Sequence, residues 1–297
     1  MRSYIYKIAG LNFTLTIPED IDVDTLLPTM RRFSVDSCCE NVIFYARCVD
    51  IIDFGEDNTS QLLEQTTNDM GQVSVERKGD GYLFSVSYVE EIYTHHLYAT
   101  RDFKDIQLSI QWQDRYAGHS INSLLRIAFA QAVAYYDGVS IHGATVMLNN
   151  NAYLFLGKSG TGKSTHADLW RKTFEGCELL NDDNPTIRII DDVVYVYGTP
   201  WSGKTPCYKN ECYPIKAFVR LSQAPYNKIQ SLRGVRAIGA LLPSLPPAFA
   251  FDSHLEDCVM DTLSAIISRV PVYHLECLPD GAAAKLSCNT IFYGDAE

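Results

Sequence analysis

Residues 157–164 read Gly-Lys-Ser-Gly-Thr-Gly-Lys-Ser, and they fill every fixed position of the pattern G-x-x-x-x-G-K-[ST]. The pattern constrains the fold because it works only between a strand and a helix. Its glycines let the backbone curl around an anion without Cβ clashes, and the N–H groups of the following helix then converge on that anion. The flanks suit the demand. Residues 152–156 are an apolar, strand-like run, and 165–174 place Ala167, Leu169, Trp170 and Phe174 at helical spacing. The expectation is that Gly157, Lys158, Ser159, Gly160, Thr161, Gly162, Lys163, Ser164 and Thr165 cradle the phosphates of a nucleoside triphosphate, as opposed to forming a plain glycine-rich connection. Lys163 then reaches the β- and γ-phosphates, and the Ser164 hydroxyl ligates Mg²⁺.

Composition narrows the classes. With 297 residues, 46% of them hydrophobic, the chain has material for one large domain or two ordinary ones. No window approaches the roughly 18 uninterrupted apolar residues of a membrane span, and residues 1–7 do not read as a secretory leader, so a cytoplasmic location without membrane association is expected. The formal net charge of −11 and the lack of a Lys/Arg cluster disfavour nucleic acid as a partner, since a polyanion needs a basic surface to displace its counterions. The nine cysteines, Cys38 and Cys39 among them, show no C-x-x-C spacing and read as reduced thiols.

Two regions are expected, a β-rich (α+β) N-terminal domain over 1–117 and an α/β domain over 118–297. In the first, period-two alternation predicts strands at 4–8, 12–17, 42–52, 73–77, 82–89, 92–100 and 106–111, mainly antiparallel. A short helix over 24–33 is limited by Pro28. In the second, Leu125, Ala128, Phe129, Ala132 and Tyr136 recur at helical spacing. A strand at 139–147 follows, then a turn at 149–151 and the phosphate-loop strand. Further strands are expected at 177–180, 186–190, 193–197, 215–221 and 272–277, with helices at 233–242, 254–268 and 281–289.

Catalysis needs a metal-organising carboxylate and a group that takes a proton from the nucleophile. Asp182-Asp183 ends a short apolar run after the phosphate-loop helix, where the next strand end should open onto the same crevice. One of these acids would hold Mg²⁺ and the other accept a proton, the competing reading being a solvated acidic turn. Asp191-Asp192 is better explained as such a turn. His142 precedes the loop strand as a candidate proton carrier, or a structural histidine. The turn-rich segment 198–204 suits a cleft rim with Lys204 at its end, and Arg220, Lys228, Arg233 and Arg236 have no distinguishing spacing.

His142-Gly143, the run from Leu154 to Thr165 and Asn181-Asp182-Asp183, in that order and at those short intervals, resemble the catalytic core of HPr kinase/phosphorylase. That core is similar to the nucleotide domain of ATP-dependent phosphoenolpyruvate carboxykinase. The resemblance covers residues 140–204 well and the rest of the C-terminal half loosely. It implies a carboxykinase-like P-loop domain with a mixed sheet, and ATP and Mg²⁺ as cofactors. Lys163 would lie on the phosphates, with Ser164 and Asp183 toward the metal, Asp182 or Asp183 as base, and His142 in the active site. It also implies a homo-oligomer. The loop wording is nearer the carboxykinase version, the segment by which HPr kinases grip their protein substrate has no counterpart, and the chain is much shorter than a carboxykinase. The implied activity is therefore that of a serine-kinase-type relative acting on a hydroxyl of a small molecule, peptide or protein. Two alternatives are an ATP-binding regulatory or peptide-handling module, and carboxykinase chemistry on oxaloacetate.

Overall fold

Residues 1–37, 42–56, 59–68, 71–88, 92–203, 205–246 and 251–294 are described by the computed structural model of the chain. The alternating first third forms β1 (Arg2–Ile8), β2 (Leu11–Ile17), a one-turn helix α1 (Val23–Leu26), β3 (Ser34–Val35), β4 (Val42–Cys48), β5 (Ser60–Asn68), β6 (Gly71–Lys78), β7 (Gly81–Tyr88), β8 (Thr94–Thr100) and β9 (Asp105–Ser109), followed by α2 (Ala117–Ala132). Pro28 starts a 3-10 turn after α1, so the helix expected over 24–33 is split there. One nine-stranded sheet results, in the order β3-β1-β2-β4-β9-β8-β7-β6-β5. It is mixed, because β4 runs parallel to both β2 and β9. Strand β5 has no counterpart in the sequence reading. Its residues are mostly polar and it ends the sheet with Leu62 exposed, so no hydrophobic alternation marks it.

The chain divides into two compact units, Met1–Val133 with Ala248–Ser253, and Ala134–Pro247 with His254–Glu297. Helix α2 belongs to the first, past the boundary expected at 117/118. Its apolar face, including Ile121, Leu125 and Phe129, is buried, and the Phe129 ring lies 6.3 Å from that of Phe13.

The second unit contains β10 (Gly138–Ser140), β11 (Gly143–Leu148), β12 (Asn151–Leu156), α3 (Lys163–Thr173), β13 (Glu178–Asn181), β14 (Thr186–Ile190), β15 (Val193–Tyr197), β16 (Cys212–Gln223), β17 (Lys228–Leu232), α4 (Val235–Leu241), α5 (Ser253–Arg269), β18 (Val272–Cys277) and α6 (Gly281–Tyr293). Its nine-stranded sheet runs β10-β14-β15-β16-β12-β11-β13, with β18 on β16 and β17 on β18. Strands β12, β16 and β18 are mutually parallel, whereas β11 is antiparallel to β12 and β13 is antiparallel to β11. Both units are thus mixed α/β structures. The tight turns are those the sequence suggests. Asn149-Asn150 and Asp191-Asp192 each have two consecutive positive φ angles, the conformation of a two-residue hairpin. Asp191-Asp192 accordingly joins β14 to β15.

The single strand expected over 139–147 is broken at Ile141 and His142. Ile141 donates its N–H to the Pro185 carbonyl, His142 to Ser244 and Gly143 to Asp183. The two halves therefore pair with different neighbours, β10 with β14 and β11 with β12 and β13.

The core on one face of this sheet gathers Phe155, Trp170, Leu179, Val219, Leu275 and Ala284, bringing α3 and α6 against the strands. Residues 152–156 of β12 are all fully buried; each large side chain among them contributes on the order of 1.5–3 kcal/mol. Within α3, the Trp170 indole N–H donates to Ser287 Oγ at 3.0 Å, and His166 Nε2 lies 3.1 Å from the same oxygen. Cys38 and Cys39 lie outside the described residues, and the other cysteines are free thiols. Among the described residues no helix is long and apolar enough to cross a membrane.

Burial holds the His166 imidazole neutral, lowering its pKa to about 4 from the ordinary 6.5. Between those pH values the unfolded chain binds a proton that the folded chain refuses. The associated stability is complete above pH 6.5 and is lost as pH falls toward 4, by about 3 kcal/mol in all. In denaturant titrations at pH 7 and 4.5, His166→Gln should lose less stability on acidification than the wild type; equal losses would contradict this role.

Candidate functional site

Register alone brings the candidate residues to one end of the second sheet. Gly143 pairs with Leu156, Leu156 with Arg220 and Arg220 with His274. The chain leaves β12 immediately after Leu156, so the glycine loop starts at the carboxyl ends of the parallel strands, where ligands of open α/β sheets bind. Because β11 is antiparallel to both β12 and β13, its first residues and the last residues of β13 lie at that same end. His142 therefore flanks the loop, and Asp182 and Asp183 follow β13.

The loop needs its glycines. A Cβ on Gly157 would come within 2.5 Å of Thr161 Oγ1, and Gly162, the residue before α3, has φ 101°. Thr161 donates its N–H and its hydroxyl to the Lys158 carbonyl, closing the loop on itself. Gln223, at the end of β16, holds the loop from outside by donating to the Gly160 carbonyl at 3.2 Å. The first intrahelical bond of α3 runs from His166 N–H to the Gly162 carbonyl. The N–H groups of Lys163, Ser164 and Thr165 precede it, so the helix itself offers them no acceptor. Ser164 and Thr165 are exposed, as are Lys158, Ser159 and Gly160.

Lys163 is buried, with Nζ donating to the carbonyls of Gly157 at 3.0 Å and Lys158 at 3.2 Å. Desolvation lowers its pKa; the Asp183 carboxylate opposes that shift and the Arg220 guanidinium adds to it. Lys163, Asp183 and Arg220 thus share one electrostatic neighbourhood.

The adjacent acids have different surroundings. Asp182 is buried, and three donors occupy its carboxylate: Ser202 Oγ and Gly203 N–H on Oδ1, both at 2.6 Å, and Thr205 N–H on Oδ2 at 3.0 Å. It fastens the segment after Trp201 to the strand end. Fully buried Asn181 assists from the same strand, donating to the Trp201 carbonyl at 3.1 Å and to Thr199 Oγ1 at 3.2 Å, while its Oδ1 accepts the Asp183 N–H. Asp183 is about one-third exposed at its side chain and lies 2.9 Å from His142 Nδ1; its other oxygen accepts from Asn184 Nδ2 at 2.6 Å. Lys204, the cation expected on this rim, lies outside the described residues.

A cavity of about 600 Å³ opens beside the loop. Thr161, Gly162, Thr165, Leu221, Pro225 and Leu278 are among the residues that line it. No lining side chain is charged at neutral pH, His166 included. Its size is that of a small-molecule pocket. Among the described residues no group of three or more His, Cys, Asp or Glu side chains is arranged to hold a metal. A Mg²⁺ ion here would therefore need phosphate oxygens among its ligands, the usual way this ion is held beside one or two carboxylates.

Sequence reasoning named the loop, His142 and both acids. It did not separate the roles of the acids, and it left Arg220 and the clamp of Asn181, Ser202, Gly203 and Thr205 unassigned. Ser202-Gly203 carried a signal as part of a turn-rich rim. Arg220 carried none, because only its register with Leu156 places it beside the loop.

No family model matches the chain, and no curated protein sequence matches it. Among solved structures, the Hpr(Ser) kinase/phosphatase from Coxiella burnetii is similar over 53% of this chain and 99% of that one, at 10% identity and a TM-score of 0.32. Similarity at that level carries no argument about the site, whose reading rests on its own geometry.

Removing the Asp182 carboxylate strands the donors of Ser202, Gly203 and Thr205. Asp182→Ala should destabilise the second unit by about 2–4 kcal/mol. It should also speed limited proteolysis within residues 199–206. Unchanged cleavage there would show that the clamp is unimportant.

Proposed function

We propose that the chain is an ATP- and Mg²⁺-dependent phosphotransferase that moves the γ-phosphoryl group to a hydroxyl, that of a serine or a similar small-molecule, peptide or protein acceptor. In this reading the second unit is a carboxykinase-like P-loop domain. The observation that carries it is the convergence, at one sheet end, of the glycine loop with its buried Lys163 and the His142–Asp183 pair.

Lys163 trades its two carbonyl acceptors for β- and γ-phosphate oxygens. The unbonded N–H groups at the start of α3 receive the remaining phosphate charge. Ser164 Oγ and Asp183 would hold Mg²⁺ together with the phosphates, and the ion would supply charge neutralisation for the transferring group. His142, with Nδ1–H donated to Asp183 Oδ1, keeps Nε2 as the acceptor for the nucleophile's proton. Asp182 acts by fixing the 202–205 segment across the acceptor side. The uncharged cavity beside the loop suits the base and ribose. Most of the rate enhancement in such a site comes from positioning and preorganised charge, since the loose transition state needs little covalent help.

The direct test is incubation with labelled ATP, Mg²⁺ and a panel of free serine, hydroxyl metabolites and serine-containing peptides. Label should appear on one acceptor class. Lys163→Ala should reduce transfer by at least about a hundredfold, and a wild-type rate in that variant would sink the assignment. Asp183→Asn should stay folded and bind nucleotide while losing transfer. An Asp183→Asn chain that unfolds instead would make the His142–Asp183 pair a structural feature.

A further inference from the structure

Arg220 stands next to the phosphate loop by register, as the β16 partner of Leu156, the last residue before Gly157. It is half-buried, and among the described residues it is paired with no carboxylate. One arm of its guanidinium is tied down: Nη1 donates to the Ala240 carbonyl at 2.7 Å and to Ser244 Oγ at 3.3 Å. Ser244 in turn accepts the His142 N–H on its carbonyl at 2.7 Å. The tether therefore joins the loop strand, the turn after α4 and the His142–Asp183 pair into one rim. The Nε and Nη2 groups have no hydrogen-bond acceptor among the described residues.

The electrostatics of this rim are incomplete. Lys163 is buried and Arg220 half-buried, so two cations with little access to water stand at this sheet end. Asp183 is the one acid that offsets Lys163 appreciably, and it is shared with His142. Keeping two poorly solvated cations together costs free energy unless an anion joins them. A guanidinium anchored by one arm with a second arm unused is also preorganised for forked recognition of phosphate oxygens.

Resting on the phosphotransferase reading, we propose that Arg220 binds the γ-phosphoryl group of the nucleotide held by the loop, and is the side chain by which this site prefers a triphosphate to a diphosphate. Lys163 and the α3 amides serve both nucleotides. Arg220 serves only the one whose third phosphate reaches it.

The test is calorimetric titration of the full chain with a non-hydrolysable ATP analogue and with ADP, each with Mg²⁺, for wild type, Arg220→Gln and Arg220→Lys. Arg220→Gln should weaken the triphosphate analogue by roughly ten- to a hundredfold, the usual worth of hydrogen bonds to a charged group, and leave ADP affinity nearly unchanged. Arg220→Lys keeps a cation for the Ala240 carbonyl but has no second arm, so it should lose much of the triphosphate preference as well. It supplies the answer if Arg220→Gln proves unfolded by circular dichroism. Equal weakening of both nucleotides would reduce Arg220 to a tie between β16 and α4, and a wild-type preference in Arg220→Lys would also overturn the assignment. A wild-type chain that binds neither nucleotide would fail at the loop itself, and so would overturn the phosphotransferase reading along with this one.

Discussion

Strand β12 is held from both sides, antiparallel to β11 and parallel to β16, and its side chains from Ala152 to Leu156 are fully buried. A strand so enclosed cannot slip, because a shift of one residue would exchange its two faces and break two ladders together. Its end at Leu156 therefore fixes where the chain must turn. The glycines of 157–162 make that turn possible, and α3 is then drawn back onto the sheet by Trp170, Ala167 and the hydrogen bonds to Ser287. Everything proposed for the site is measured from that fixed point: Gly143 on one side, Arg220 on the other, and the acidic pair one strand beyond.

The charges are arranged with an economy that the sequence does not show. Of the two adjacent aspartates, one is spent on structure, its oxygens filled by three donors from the 202–205 segment. The other is left partly open beside His142. Lys163, buried, and Arg220, half-buried, are the cations of the same rim, and Asp183 is the acid that offsets Lys163.

Local signals were strong where one residue type has one physical use. The loop glycines and the Asn149-Asn150 and Asp191-Asp192 turns were legible because few other residues tolerate those backbone angles. The strands of the first unit were legible from alternation, apart from the two-residue β3, too short to alternate, and β5, an edge strand whose polar residues leave no alternation to read. The break at Ile141-His142 was hidden because apolar flanks read as one strand, and the hydrogen bonds that divide it come from Pro185, Asp183 and Ser244, far along the chain. Helix α2 looked like the start of the second domain, yet its apolar face is buried with Phe13 of the first.

By itself the sequence determined that a glycine-rich turn stands between a buried strand and a helix, with a histidine before it and two acids after it. Those are local matters of backbone freedom and periodicity, and they survive any arrangement of the sheet. Tertiary structure decided which acid is clamped and which is open, and that Arg220 stands beside the loop. It also decided that the cavity next to it is uncharged. These depend on strand order and register, which are set by which faces bury together across long sequence separations, and no short window of residues carries that information.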